Sequence, residues 1–334
     1  LVAASRLGVR ELHKLGEDFG IPILSEDYRA VLAADIDMCI VSSPAALHYE
    51  HAKAALEAGC HVLIEKPVTI DPAHAWELVA LAHAKRLHVV VSFGWQFMET
   101  FTRARRLWSD HGIGHIEHVN LHMASAIREL LSGTSNSSTG RDGDIADTRT
   151  YTDANLAGGG YSQTQLPHAL AWLLGLTDAE VDEVYGLGTF PQDPRLDMHD
   201  AAVLRLRGGG IGVISGASYH HGAQGGRHQL EIRVFGDHGQ IHVDLERDRL
   251  WLWRDDGVSI EADLPLDAGR YQCEGPPLAL LDLILGRRID NPASLTLGAR
   301  TVETIAALAS SMQTGLPTKT WSARARGHVN RTES

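Results

Sequence analysis

Two changes of pattern along the 334 residues predict two domains. The first, over residues 1–93, is an α/β domain with a doubly wound parallel sheet. The second, over residues 94–315, is an α+β domain with a large open, mostly antiparallel sheet. Up to Phe93, short apolar runs alternate with amphipathic helical stretches, as expected for strands covered on both faces of a parallel sheet. Beyond Phe93, strand-like segments follow one another through turns rich in Gly and Asp, the pattern of antiparallel pairing. The length suits two domains of about 150 residues each, and 44% apolar residues are enough to fill two cores.

Residues 1–5 read as the first strand. Leu12, Leu15 and Phe19, spaced by three and four ahead of Gly20, then predict an amphipathic helix. Residues 38–42, 61–64 and 89–92 are the following parallel strands. Between the first two of these, Ser43-Pro44 forms a turn and residues 48–58 a helix that Gly59 ends. Asp71 is suited to cap the next helix, with Pro72 at its first position and Trp76, Val79 and Ala80 on one face. After a helix over 101–111, strands are predicted at 116–123, 183–189, 201–207, 211–217, 229–235 and 240–244. Gly208-Gly209-Gly210, Gly236-Asp237-His238-Gly239 and Asp255-Asp256-Gly257 supply reversals. Helices are expected near 168–174 and 277–285. A late helix over 295–314, carrying Leu297, Val302, Ile305, Leu308 and Met312, is expected to pack back toward the first domain, leaving 316–334 as a tail.

Composition excludes several function classes. With 30 Lys and Arg against 42 Asp and Glu, a net charge of −12 is the wrong sign for a nucleic-acid footprint. No run approaches the roughly 18 apolar residues of a membrane span, and no signal-peptide pattern opens the chain, so a cytoplasmic protein is expected. Cys39, Cys60 and Cys273 are too scattered for a disulfide framework or zinc site and are expected as buried free thiols. Among the 19 histidines, His48/His51 and His220-His221 lack the three converging ligands of a catalytic zinc centre, so no metal is expected. The Ser-, Thr-, Gly- and Asp-rich stretch 124–157 reads equally as a substrate-side loop or as disorder.

Two constellations carry chemistry. Glu65-Lys66-Pro67 directly follows the apolar run His61-Val62-Leu63-Ile64, so an ammonium stands at the carboxyl end of a parallel strand. Open α/β sheets bind ligands at that edge. The second is Gly158-Gly159-Gly160-Tyr161-Ser162-Gln163-Thr164-Gln165-Leu166-Pro167-His168, which brings an imidazole to the start of a helix. Histidine near its ordinary pKa suits a general base, and an ammonium suits holding a reacting oxygen.

The order strand, Ser-Ser-Pro turn, helix, Gly, strand and Glu-Lys-Pro, with the glycine triplet ten residues before His168, resembles the glucose-fructose oxidoreductase / inositol dehydrogenase / rhizopine-catabolism dehydrogenase family (Gfo/Idh/MocA). The resemblance implies a Rossmann-type first domain and an NAD(P)-dependent dehydrogenase acting on a secondary hydroxyl of a sugar, cyclitol or related polyol. It implies His168 as acid/base and Lys66 polarising the substrate oxygen, with Lys66 as proton shuttle the other reading, and a cis peptide before Pro67. Thr164 stands where the family commonly has Asp, so that carboxylate is missing. Thr164, Gln165 and Tyr271 are the substrate-side candidates. Ser42, Ser43, Pro44, His48, Glu65, Lys66 and Pro67 are expected against the cofactor, although Glu65 reads equally as structural.

Residues 1–5 match the family's second strand. The first strand, its G-x-G-x-x-G loop and its helix, about 30 residues of a β-α-β unit, are therefore expected upstream of the sequence given. Ser5-Arg6 stands where NAD-binding members place a carboxylate, which favours NADP over NAD. The family also implies a homodimer or homotetramer built through the second domain's sheet. Two other readings are a glycoside-cleaving or eliminating enzyme that retains NAD for transient oxidation, and a non-catalytic sensor or repressor.

Overall fold

The computed structural model describes residues 1–134, 148–219 and 228–325. In the first domain, β1 (Ala3–Ser5) and β2 (Ile23–Ser25) pair in parallel. A separate parallel sheet contains β3 (Met38–Val41), β4 (His61–Ile64) and β5 (Val89–Val91) in that order. The two are bridged where Tyr28 Oη and the Arg29 guanidinium donate to Glu50 Oε1 at 2.7 and 3.1 Å. Val62, Leu63, Ile64 and all of β5 are buried, as strands covered on both faces must be. The helix Pro72–Lys85 begins where Asp71 Oδ1 accepts from Ala73 N at 2.8 Å. In the helix Val9–Phe19, Leu12 and Gly16 are the buried residues and Phe19 is exposed, so the apolar stripe is narrower than the spacing predicts.

The second domain is built on β6 (Ile116–Ala124), β7 (Val181–Thr189), β8 (His199–Leu206), β9 (Ile211–Ala217), β10 (Gln229–Gly236), β11 (Gly239–Asp244), β12 (Arg249–Arg254), β13 (Ser259–Glu261) and β14 (Thr318–Lys319). They form one sheet in the order β13-β12-β11-β10-β6-β9-β8-β7-β14. Only β6 and β9 run parallel. Alternate residues such as Val119, Leu121 and Met123 of β6 and Leu230, Ile232 and Val234 of β10 are buried, the period-two pattern of a sheet with one covered face. The helix Leu166–Thr177 is buried along its whole length, with Trp172 edge-on to Phe101 at 4.7 Å.

Strands β2, β12, β13 and β14 are absent from the sequence expectations. β2 and β13 have three residues and β14 two, too few to display a period. β14 draws part of the expected tail into the sheet, since Thr318 pairs with Val184 and Thr320 Oγ1 donates to Val181 O at 2.8 Å. The late helix Leu295–Thr314 matches its predicted span, capped by Ser294 Oγ on Leu297 N at 3.2 Å. Its buried Glu303 accepts from Trp76 Nε1 of the first domain at 3.2 Å and from Ser322 N and Oγ at 2.9 and 2.7 Å. One carboxylate thereby ties the late helix to the parallel-sheet domain and to the chain beyond it.

Candidate active site

Lys66 leaves the sheet where β4 ends. Glu65 N donates to Val41 O at 2.9 Å, continuing the ladder one residue further, and Glu65 Oε2 accepts from Lys66 N at 3.2 Å. The Lys66–Pro67 peptide is cis. Lys66 Nζ reaches across to the second domain and donates to Thr164 O at 2.9 Å. Burial pushes the ammonium pKa down, and the neighbouring Glu65 carboxylate opposes that shift.

The turn that delivers Thr164 and His168 is organised by Asp197. Its carboxylate accepts from Gly160 N at 3.1 Å and from Ser162 N and Oγ at 2.7 and 2.8 Å, while its carbonyl accepts from Tyr161 N at 2.7 Å. A Cβ at Gly160 would lie 2.0 Å from that carbonyl oxygen, so only glycine allows this approach. The adjacent Asp200 carboxyl is buried with neither oxygen hydrogen-bonded among the described residues. Burial, and secondarily Asp197, push its pKa well up.

His168 is buried in an aromatic frame. Its ring meets the edges or faces of Tyr271 at 5.2 Å, Trp95 at 5.5 Å and Phe93 at 6.2 Å. Nδ1 is buried without a hydrogen-bond partner among the described residues, which is costly unless a ligand supplies one. Burial first, then the Lys66 ammonium and the neighbouring His228 imidazole, push the His168 pKa well below its ordinary value. The ring is neutral at neutral pH, the form a proton acceptor requires.

The predicted residues divide into those at this centre and those at its margins. Gln165 Oε1 accepts from Ser125 Oγ at 3.2 Å. Tyr271 packs on His168 and Trp95, and its hydroxyl donates to Ser92 O at 3.2 Å. Thr164 is present through its carbonyl, because its hydroxyl bonds Gly160 O within its own turn. His48 braces the loops around Lys66: Nδ1 lies 2.7 Å from Pro67 O and Nε2 2.7 Å from Ser43 O. Burial pushes the His48 pKa down against these two carbonyls. Ser43 Oγ in turn meets His51 Nδ1 at 2.9 Å, Pro44 O accepts from Leu47 N at 2.8 Å, and Ser42 is exposed. Ser5 and Arg6 lie exposed at the end of β1, away from this hydrogen-bonded core.

Ser125, His228, Trp95 and Cys273 also belong to the centre. His228 Nδ1 is 3.2 Å from Ser125 Oγ, and its ring is 5.6 Å from Trp95. Cys273 is exposed and lies close enough to Glu65 and Lys66 for their charges to act on its thiol. Cys39 is half-buried and only Cys60 is buried, which corrects the expectation for three buried thiols. No group of three metal-ligating side chains occurs among the described residues. His220 and His221, and the Ser135-to-Gly140 stretch of the long loop, lie outside them.

Family models match on both sides of the site: the oxidoreductase family with an NAD-binding Rossmann fold over residues 1–93, and the GFO/IDH/MocA C-terminal domain over 101–242. The chain belongs to the Gfo/Idh/MocA oxidoreductase family. D-glucoside 3-dehydrogenase of Escherichia coli strain K12 is 40% identical over 79 residues, 23% of this chain and 22% of that protein. scyllo-Inositol 2-dehydrogenase (NADP(+)) of Bacillus subtilis strain 168 is 32% identical over 90 residues, 27% of this chain and 24% of that one. Each match spans about a quarter of the relative's length. The crystal structure of an inositol dehydrogenase homolog complexed with NAD+ from Azotobacter vinelandii superposes with a TM-score of 0.76 at 19% identity, covering 96% of this chain and 90% of that one. At this identity the likeness concerns the fold.

His48→Ala is expected to leave the Ser43 and Pro67 carbonyls beside an apolar gap and to cost about 1–3 kcal/mol of stability. Urea denaturation at unchanged m-value measures the loss, and a change below about 0.5 kcal/mol would contradict the bracing role.

Proposed function

We propose that this chain is an NAD(P)-dependent dehydrogenase that oxidises a secondary hydroxyl of a sugar, cyclitol or related polyol, with His168 as acid/base and Lys66 holding the substrate oxygen. The observation that carries this reading is the convergence of a desolvated ammonium and a neutral imidazole from opposite domains, joined through the Thr164 carbonyl. A bound nicotinamide supplies the acceptor for the carbinol hydrogen and its electron pair. Lys66 stabilises the negative charge that develops on the oxygen, and His168 takes the hydroxyl proton. Ser125, Gln165 and His228 give the pocket the neutral hydrogen-bonding surface that a polyol's other hydroxyls need.

Ser5, Arg6, Ser42, Ser43, Pro44 and the Glu65-Lys66-Pro67 turn are the residues that would hold the cofactor. Arg6 is exposed and no hydroxyl-binding carboxylate precedes it at the end of β1, which favours NADP. The match to an NADP-linked inositol dehydrogenase supports the same choice. Assembly as a homodimer or homotetramer is part of the proposal. Tyr185, Val203 and Val213 stand opposite one another across β7, β8 and β9 on the uncovered face of the sheet, with Leu187 and Ile211 nearby. Such a contiguous apolar row is suited to a second copy.

His168→Ala is expected to lower turnover about 10²- to 10⁴-fold on a panel of polyols, whereas a loss below threefold would remove it from the acid/base role. In the wild type the acid limb of kcat/KM should fall below about pH 6.5, the ordinary histidine value, because the folded-state shift is downward and only the neutral ring accepts a proton. An acid limb above that value would contradict the assignment. Fluorescence titration should give tighter binding of NADP than NAD, and the reverse order would overturn that preference. Sedimentation should detect a dimer or tetramer that Val203→Glu dissociates; a monomeric wild type refutes the sheet-mediated assembly.

A further inference from the structure

On the other side of the turn that carries Trp95, a cleft of about 330 Å³ opens between the helix Glu99–His111 and the segment before the late helix. Gln96, Thr102, Arg105, Arg288, Asp290 and Asn291 supply its polar lining. Two guanidiniums face one carboxylate here, in a chain whose net charge is −12. Arg288 is already paired, with Nη2 on Asp290 Oδ2 at 3.1 Å and Nε on Asp290 O at 2.8 Å. Arg105 is not: Nη1 donates to Gly175 O at 3.1 Å, and no carboxylate meets its guanidinium among the described residues. Gln96 is 2% exposed, and its amide nitrogen has no hydrogen-bond partner among the described residues. The orphaned, buried Gln96 amide is costly, and the exposed Arg105 carries a charge that no carboxylate here offsets.

We propose that this cleft binds a small molecule bearing an oxyanion, a carboxylate or a phosphate, with Arg105 and Arg288 as the charge partners and Gln96 as a neutral donor. Planar guanidiniums match both groups in two-point contact, and the volume lies within the range of small-ligand pockets. The cleft is separate from the Lys66–His168 centre but mechanically joined to it. Gln96 follows Trp95, whose ring packs 5.5 Å from His168. Asn291 Nδ2 donates to Val89 O at 2.8 Å, and Ala293 O accepts from Val91 N at 2.8 Å, so the cleft's other wall is stitched to β5. A ligand seated between these walls would rest against the turn that carries Trp95 and the segment stitched to β5.

Isothermal titration of the full chain with inorganic phosphate, and separately with citrate, each at ionic strength matched with chloride, tests this. Saturable binding by the wild type is expected, with the tighter of the two anions identifying the ligand class. Arg288→Gln, a change at the surface, should weaken that binding at least about tenfold, and Arg105→Gln should do the same where it folds. Equal binding by wild type and Arg288→Gln would overturn the proposal, as would a wild-type response no greater than that to chloride.

Discussion

The hydrogen bond from Lys66 Nζ to Thr164 O is the interaction on which the site depends. It joins the end of β4 to the turn before His168, and it is made by a charge that burial disfavours. A desolvated ammonium is tolerated only where polar partners surround it. Here a backbone carbonyl accepts from it and the Glu65 carboxylate stands close by. Burial, and secondarily the same ammonium, push the His168 pKa well down. In the proposed mechanism this neutral histidine accepts the hydroxyl proton while the lysine's charge meets the substrate oxygen.

Much of the protein's remaining structure can be understood as keeping this pair in register. His48 spans the Ser43 and Pro67 carbonyls and holds the two sheet-edge loops together. Asp197 gathers the amides of the glycine turn, and Glu303 ties the late helix to Trp76. Each is a buried polar group with several partners, which specifies a geometry that apolar packing alone would leave loose. The aromatic frame of Phe93, Trp95 and Tyr271 excludes water around His168 and fixes its ring plane.

The sequence marks the proposed pair more clearly than its surroundings. Lys66 stood out because the apolar Val62, Leu63 and Ile64 run just ahead of Glu65 and place it at a strand end. His168 was legible because three glycines mark a tight turn before a helix. Ser125 and His228 carry no motif, yet strand parity marks them: Ser125 continues the inward set Val119, Leu121 and Met123, and His228 precedes Leu230, Ile232 and Val234 in step. Backbone contacts were out of reach. Lys66 bonds the Thr164 carbonyl, a contact that any residue at that position would provide. The two-residue β14 escaped notice for a related reason, since its pairing with β7 depends on a partner more than 130 residues away.

A double-mutant cycle on Lys66→Met and His168→Ala tests the mutual dependence most directly, using the polyol the wild type oxidises fastest. If the two groups act as one unit, each single substitution removes most of the turnover and the double variant is within about threefold of the worse single one. Losses that simply multiply would show two independent residues and contradict the account.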